Sequence, residues 1–314
     1  MMISLIVPCL NEEKALPIFY KEVTSVMQTV AAEYELLFIN DGSTDETERI
    51  LKEFAEQDHR VKYLSLSRNF GKEAAMFAGL SNAHGDYVAV IDADMQDPPE
   101  LIPQMLELLQ SGKYDSVATR RVSRNGEPPV RSWFAKQFYG LINKISDVDI
   151  VDGARDFRMM KREMVDAVLA LSEKNRFSKG IFGWVGFRTC WLPYENVERT
   201  AGKTKWSFWK LFKYGLDGII SFSHTPLDVA SWFGLIMTAI SFFFVVLIVV
   251  RRLLFGDPVA GWASTACIII FIGGIQLLCL GIIGRYLAKT YMEVKNRPHF
   301  IVAETNMENA KRIE

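Results

Sequence analysis

The 314-residue sequence predicts an α/β fold with a mostly parallel, Rossmann-like sheet, followed by interfacial amphipathic helices and two transmembrane helices. Three observations carry that prediction. Short β-branched apolar runs alternate with segments of helical periodicity through the first half of the chain, the pattern of parallel strands joined by right-handed helical crossovers. The chain turns polar wherever one of these strands ends, as an open α/β sheet requires at its ligand-binding edge. Two later stretches, Val229 to Val250 and Gly261 to Gly284, are nearly free of charge and long enough to cross a bilayer as helices.

Taken in order, Ile3 to Val7 reads as the first strand. A helix from Lys14 to Ala32 follows, with Leu16, Phe19, Val23, Val26, Met27 and Val30 on one face. Tyr34 to Ile39 is the second strand, ending in Asn40-Asp41-Gly42-Ser43-Thr44-Asp45, where Ser43 and Glu46 match a capping box for a helix carrying Ile50, Leu51 and Phe54. Val61 to Leu66 is the third strand and Lys72 to Ala83 the next helix. Tyr87 to Ile91 is the fourth strand, Pro99 to Gln110 a helix, and Asp115 to Ala118 a fifth strand.

The richest chemistry lies where the fourth strand ends, at Asp92-Ala93-Asp94-Met95-Gln96-Asp97-Pro98-Pro99-Glu100. A strand end delivering Asp92 and Asp94 into a crevice supplies hard oxygen ligands, which Mg²⁺ or Mn²⁺ uses when shared with substrate phosphates. The plainer alternative is local: acidic turn residues, with Asp97 and Glu100 capping the helix that starts at Pro98.

Composition excludes several classes. With 36 basic and 37 acidic residues the net charge is −1, so no broad electrostatic footprint for nucleic acid exists. Cys9, Cys190, Cys267 and Cys279 show neither CxxC spacing nor a disulfide framework. No GxGxxG follows the first strand and no GxxxxGK[ST] occurs, so the dinucleotide and Walker readings lose their main support. The apolar run Ile3 to Leu10 is too short for a signal peptide and contains Pro8.

Four strand-end blocks occur in sequence: Ile6-Val7-Pro8-Cys9-Leu10-Asn11-Glu12-Glu13, Asn40 to Asp45, Ser67-Arg68-Asn69-Phe70-Gly71-Lys72 and Asp92 to Glu100. Together they resemble the successive motifs of family 2 glycosyltransferases with the GT-A fold. The similarity is to the polyprenyl-phosphate branch, which includes bactoprenol glucosyltransferases and dolichol-phosphate mannose synthases, and it runs over essentially the whole chain. The resemblance implies that Pro8, Asn11, Glu12 and Asp41 hold the uridine of a nucleotide sugar, with Asp41 otherwise a simple turn residue. It implies that Asp92, Asp94 and the Gln96 side-chain oxygen ligate a metal, Asp94 being central to catalysis. Lys72 is either a point charge for the donor phosphates or an exposed helix-start lysine.

Beyond the fifth strand, Arg120 to Arg131 puts four arginines in a Gly/Pro-punctuated loop. Such a loop is either merely solvated or a phosphate-binding lid, with Arg120 and Arg131 as the fork donors. Gly153 to Met160 is a polar island before a helix from Arg162 to Ser172. By resemblance Asp156 is the catalytic base near the acceptor; because a lipid phosphate is already anionic near neutral pH, it otherwise orients Arg155, Arg158 or a loop arginine. Phe177 to Leu211 is aromatic and basic, as at a headgroup surface. Trp209, Phe212, Leu216, Ile219 and Ile220 share one helical face, with Arg199 and Lys205 near a lipid phosphate. Gly273, Gly274, Gly281 and Gly284 permit close packing of spans, and so a homo-oligomer. The tail after Arg297 reads as polar and poorly ordered.

The expected organisation is a catalytic domain over 1–200, a juxtamembrane region over 201–227, two spans with their loop over 228–288 and a tail over 289–314. Lysines and arginines flank the outer ends of the two spans, which puts both termini and the catalytic domain on the cytoplasmic side of the plasma (inner) membrane. The implied reaction is inverting, metal-dependent transfer of a hexose, glucose from UDP-glucose first, to undecaprenyl phosphate; N-acetylglucosamine, mannose and galactose stay open. Two competitors are a processive polysaccharide synthase, whose Gln-x-x-Arg-Trp block and extra spans are missing here, and a catalytically silent nucleotide-sugar-binding membrane protein.

Overall fold

Leu36, Leu37, Phe38 and Ile39 are consecutive and all 0 % exposed, so the strand they form is covered on both faces. The computed structural model describes residues 1–122, 151, 153–194, 225–255 and 261–314. Its strands are β1 (Met2–Cys9), β2 (Glu33–Asn40), β3 (Val61–Leu66), β4 (Tyr87–Val90), β5 (Ser116–Arg121), β6 (Ala154–Lys161), β7 (Thr189–Tyr194) and β8 (Val302–Thr305). The helices are α1 (Leu16–Gln28), α2 (Thr47–Gln57), α3 (Lys72–Asn82), α4 (Ile102–Gln110), α5 (Arg162–Ala170), α6 (Ser178–Trp184), α7 (Thr225–Phe255) and α8 (Trp262–Val294). One sheet holds all eight strands in the order β7-β5-β6-β4-β1-β2-β3-β8.

Strands β3, β2, β1 and β4 are parallel, whereas β6 and β8 run against their neighbours. Residue parity decides which layer each side chain joins. Leu5, Leu36, Phe38 and Phe157 pack with Leu16, Phe19 and Val23 of α1. Ile6, Leu37 and Ile39 pack on the other face with Met76 of α3, Val165 of α5 and Ile181 of α6.

The chain runs outward from β1 to β3 and then returns to place β4 on the other side of β1, so the topological switch point falls between β1 and β4. The two strands part there. Their ladder ends at Ile6 opposite Val90, with the Ile91 N–H bonded to the Ile6 carbonyl at 3.0 Å. Pro8, with no N–H to give, faces the β4 side just beyond the last rung, so a proline is accommodated in a central strand.

Several expectations are corrected. The predicted Ser43/Glu46 capping box does not form: the Ser43 hydroxyl accepts the Asn11 N–H at 2.9 Å, and Asp45 takes the Thr47 N–H at 3.1 Å. Asp97 does not cap a helix either, and a single 3₁₀ turn, Pro99–Leu101, precedes α4. The polar island at 154–161 is a full strand, antiparallel to both β4 and β5. The fifth strand continues to Arg121, which puts Arg120 in a ladder opposite Ala154 and Pro193.

The largest correction concerns the tail. Phe300 is 0 % exposed and Val302 is 7 % exposed, β8 pairs antiparallel with β3, and Lys311 donates its N–H to the Asn82 side chain at 2.7 Å. An edge strand presents unpaired N–H and C=O groups, and the tail covers them. Phe300 and His299 both lie against the Phe77 ring, at 6.3 and 4.5 Å.

Burial, with the nearby Lys174 and Arg176 charges, pushes the His299 pKa from 6.5 down to about 4. The folded chain therefore keeps His299 neutral where the unfolded chain takes up a proton. Stability from this site is complete above pH 6.5 and is lost as pH falls from there toward 4. His299→Gln is expected to flatten the pH dependence of the unfolding temperature over that window, read by thermal melts at stepped pH; an unaltered profile would exclude the site.

Helices α7 and α8 contain stretches long and apolar enough to cross a membrane, Leu227–Phe244 and Phe271–Val294. Among the described residues, nothing lies within 4 Å of a Cβ placed on Gly273, Gly274, Gly281 or Gly284, so these glycines mediate no close contact inside the chain. The end of α8 meets the α/β domain through Glu293, whose carboxylate accepts the backbone N–H groups of Lys174 at 2.8 Å and Asn175 at 3.2 Å.

Candidate active site

Four loops meet where β1 and β4 part, those after β1, β2, β3 and β4 in turn. The one after β4 carries Asp92, Asp94, Gln96 and Asp97, and it turns sharply at Met95, a non-glycine residue at φ 58°. The one after β2 turns at Gly42, φ 68°, where an added Cβ would meet the Arg68 carbonyl carbon and the Asn69 nitrogen at 2.5 Å. Only glycine lets the second and third loops approach this closely.

Asp41 locks that approach. Its carboxylate, 3 % exposed, accepts the N–H of Phe70 at 2.7 Å and of Gly71 at 2.9 Å, holding the loop that starts α3. Here Asp41 positions neighbouring backbone. Asn11, at φ 55°, likewise binds the second loop, its side-chain oxygen accepting the Thr44 N–H at 2.8 Å. The Glu12 N–H donates to Thr47 at 2.9 Å. Pro8, Asn11, Glu12 and Asp41 thus lie around one rim of the crevice.

Lys72, the first residue of α3, is the hub. Its ammonium donates to Asp92 at 2.7 Å and to Asp156 at 2.5 Å, so one cation joins the end of β4 to the start of β6. It is not an idle helix-start lysine. Burial works to raise the Asp156 pKa, but the charges of Lys72 and Lys179 outweigh it and hold the carboxyl well below the usual carboxylate range. A carboxylate held so firmly ionised is a weak proton acceptor and a strong electrostatic anchor.

A second ion pair lies beneath. Asp97, 0 % exposed, accepts from the Arg155 Nε at 3.0 Å and from the Tyr194 hydroxyl at 2.5 Å, while Arg155 Nη2 reaches the Gln96 side-chain oxygen at 3.5 Å. These bonds tie the acidic loop to β6 and β7. Asp97 and Tyr194 were not predictable as site residues, because their partner stands far away in sequence.

Arg158 is also buried here, at 4 % exposure, its guanidinium 4.0 Å from the Phe182 ring, and burial pushes its pKa down to about 9. Glu73, beside Lys72, accepts the Ser178 N–H at 3.1 Å and its hydroxyl, joining α3 to α6. Arg120 is exposed at the end of β5. Arg131, Arg199 and Lys205 lie outside the described residues.

The acidic loop after β4 holds the oxygen donors nearest the switch point. Among the described residues no three His, Cys, Asp or Glu side chains converge to cage a metal unaided. Asp92, Asp94 and Gln96 carry hard oxygen donors of the type that Mg²⁺ or Mn²⁺ combines with phosphate oxygens and water, with Asp92 here paired to Lys72 and the Gln96 oxygen accepting from Arg155. Asp94 accepts the Gln96 N–H at 3.2 Å, which fixes the turn.

In a mostly parallel sheet the ligand crevice falls at the switch point, and here carboxylates rather than a glycine-rich phosphate loop stand at that position. The chain belongs to glycosyl transferase family 2, whose model matches residues 4–169. It is 45 % identical over 309 residues to the SfII prophage-derived bactoprenol glucosyl transferase of Shigella flexneri, covering 98 % of this chain and 100 % of that one. It is 43 % identical to the prophage bactoprenol glucosyl transferase homolog of Escherichia coli K12, over 96 % of this chain and 98 % of that one. The putative glycosyltransferase CsbB of Bacillus subtilis is 42 % identical, over 98 % and 93 %. Among solved structures, mannosyl-3-phosphoglycerate synthase from Rubrobacter xylanophilus has a TM-score of 0.48 at 19 % identity, covering 70 % of this chain and 72 % of that one.

Proposed function

We propose that this glycosyltransferase transfers glucose from UDP-glucose to the phosphate of a polyprenyl lipid at the cytoplasmic face of the membrane, with inversion and with Mg²⁺ or Mn²⁺ bound. The observation that carries this is the similarity to bactoprenol glucosyl transferases over nearly the full length of both chains, membrane-length helices included. The crevice geometry supports it. Asp92 and Asp94, with Gln96, would hold the cation, which when bound would supply positive charge for a diphosphate leaving group.

The chain's own groups do the rest. Asn11 and Glu12 line the nucleotide end, with Asp41 acting through the 70–71 backbone it holds. Lys72 supplies positive charge between the donor carboxylates and Asp156. Because the acceptor phosphate is anionic near neutral pH, the second phosphate pKa being about 6, Asp156 serves by holding Lys72 rather than by removing a proton. Arg120, Arg131, Arg199 and Lys205 are the cations assigned to the lipid phosphate and the diphosphate.

The test uses membranes containing the full chain, radiolabelled UDP-glucose and polyprenyl phosphate. Label is expected to enter the lipid fraction, to vanish with EDTA and to return with excess Mn²⁺ or Mg²⁺. A panel of UDP-linked and GDP-linked sugars replaces glucose in parallel. EDTA-resistant transfer would exclude the metal, and transfer of a different sugar would replace the donor.

A further inference from the structure

Strand β6 buries two arginines in opposite circumstances. Arg155 is paired with Asp97 at 3.0 Å. Arg158 lies on the other face of the strand, the face whose Met160 packs against α3, α5 and α6. Its Nε and Nη1 are buried, and among the described residues neither has a hydrogen-bond partner.

The surroundings of Arg158 are aromatic. The Phe182 ring of α6 lies 4.0 Å from the guanidinium carbon and the Trp191 ring of β7 lies 5.8 Å from it. Burial lowers the pKa only to about 9, so at neutral pH the group is still a cation. Two rings offset part of the cost of taking that charge out of water. An interior charge without a bonded counter-charge nevertheless weakens a fold, and such groups persist where function uses them.

Register shows what the charge faces. Arg158 stands opposite Val90, the last residue of β4. Continued by two residues, the same antiparallel register brings Asp156 level with Asp92, where the Lys72 ammonium joins them. Asp156 and Arg158 share one face of β6, about 7 Å apart along the strand, with Arg158 deeper in the sheet. The Asp156 charge is what opposes the downward shift at Arg158. Lys72 thus serves two carboxylates at once, and Lys179 of α6 is a further positive charge acting on Asp156. Lys179 is half-buried, whereas Arg158 is fixed beneath the carboxylate by the sheet and the two rings.

We infer that Arg158 is a positioning residue: held between Phe182 and Trp191, its charge fixes the Asp156 carboxylate from below and, through it, the ammonium of Lys72. At 4 % exposure it acts through Asp156 rather than on a substrate. The inference rests on the role given above to Lys72 and Asp156 in glucosyl transfer, and it adds a residue that is kept at the expense of stability.

Thermal unfolding of the full chain in detergent, with sugar transfer by the same preparations, tests this. Methionine fills a similar space without the charge. Arg158→Met is expected to raise the apparent unfolding temperature by several degrees and to lower transfer by on the order of tenfold, in kcat rather than KM. A merely structural arginine would not move the two readouts in opposite directions. In an Asp156→Asn background the thermal gain from Arg158→Met is expected to be larger than in wild type, because Asp156 no longer offsets the guanidinium. The thermal measurements need no substrate, so absence of glucosyl transfer by the wild-type chain would sink the proposed function while these still report on Arg158. An Arg158→Met protein that unfolds earlier than wild type, or does not fold, would make Arg158 a structural residue and overturn the inference. So would full transfer by the folded variant, or an equal thermal gain in the two backgrounds.

Discussion

Asp94→Ala is expected to lower sugar transfer by at least about 10³-fold, close to 4 kcal/mol of transition-state stabilisation at roughly 1.4 kcal/mol per decade. Asp92 and Asp94 do not stand alike in the crevice. Asp92 is already paired with Lys72, which also binds Asp156, so its loss is partly a loss of structure. Asp94 is the half-exposed carboxylate at the turn, bonded to the Gln96 N–H. Its removal leaves the Lys72 bridge and the Asp97–Arg155 pair in place, so folding should survive. Circular dichroism and the unfolding temperature are the controls, and radiolabelled transfer is the readout. A folded Asp94→Ala protein retaining more than about a tenth of wild-type transfer would remove the metal role, since a Lewis acid contributes several kcal/mol.

Phe300→Ala is expected to destabilise the catalytic domain by about 3 kcal/mol, the usual cost of emptying a fully buried phenylalanine site. Phe300 is 0 % exposed and packs with Phe77 on the α3 face of the sheet. For a domain of this size the apparent unfolding temperature should fall by roughly 6–12 °C. The effect extends beyond one side chain: β8 follows directly and protects the edge of β3. Exchange of the Tyr63 to Leu66 amides, followed by hydrogen–deuterium exchange, should quicken in the variant. Unchanged melting and exchange would mean that the tail is not part of the folded domain.

Much of the architecture was legible because its signals are local. The run Leu36 to Ile39 and the spacing of Leu16, Phe19, Val23 and Met27 state strand and helix within a few residues, and the observed β2 and α1 follow them. The two apolar stretches state their length outright. What misled was local chemistry with a distant competitor. Ser43 and Glu46 had capping spacing, but Asn11 took the Ser43 hydroxyl. Asp97 and Glu100 had it too, but Arg155 and Tyr194 held Asp97 in the interior. The tail looked polar because its longest apolar run is Phe300 to Ala303, too brief to register as a strand without its partner β3.

The sequence by itself determined the order of elements, the acidic strand end and the membrane-length helices, since each depends on side chains adjacent in the chain. Tertiary structure alone decided which charges meet: Lys72 bridges Asp92 and Asp156 across separations of 20 and 84 residues, and Arg155 reaches back 58 to Asp97. Spacing along a chain carries no record of such partners, because the sheet order that brings β6 beside β4 is set by the packing of two whole layers.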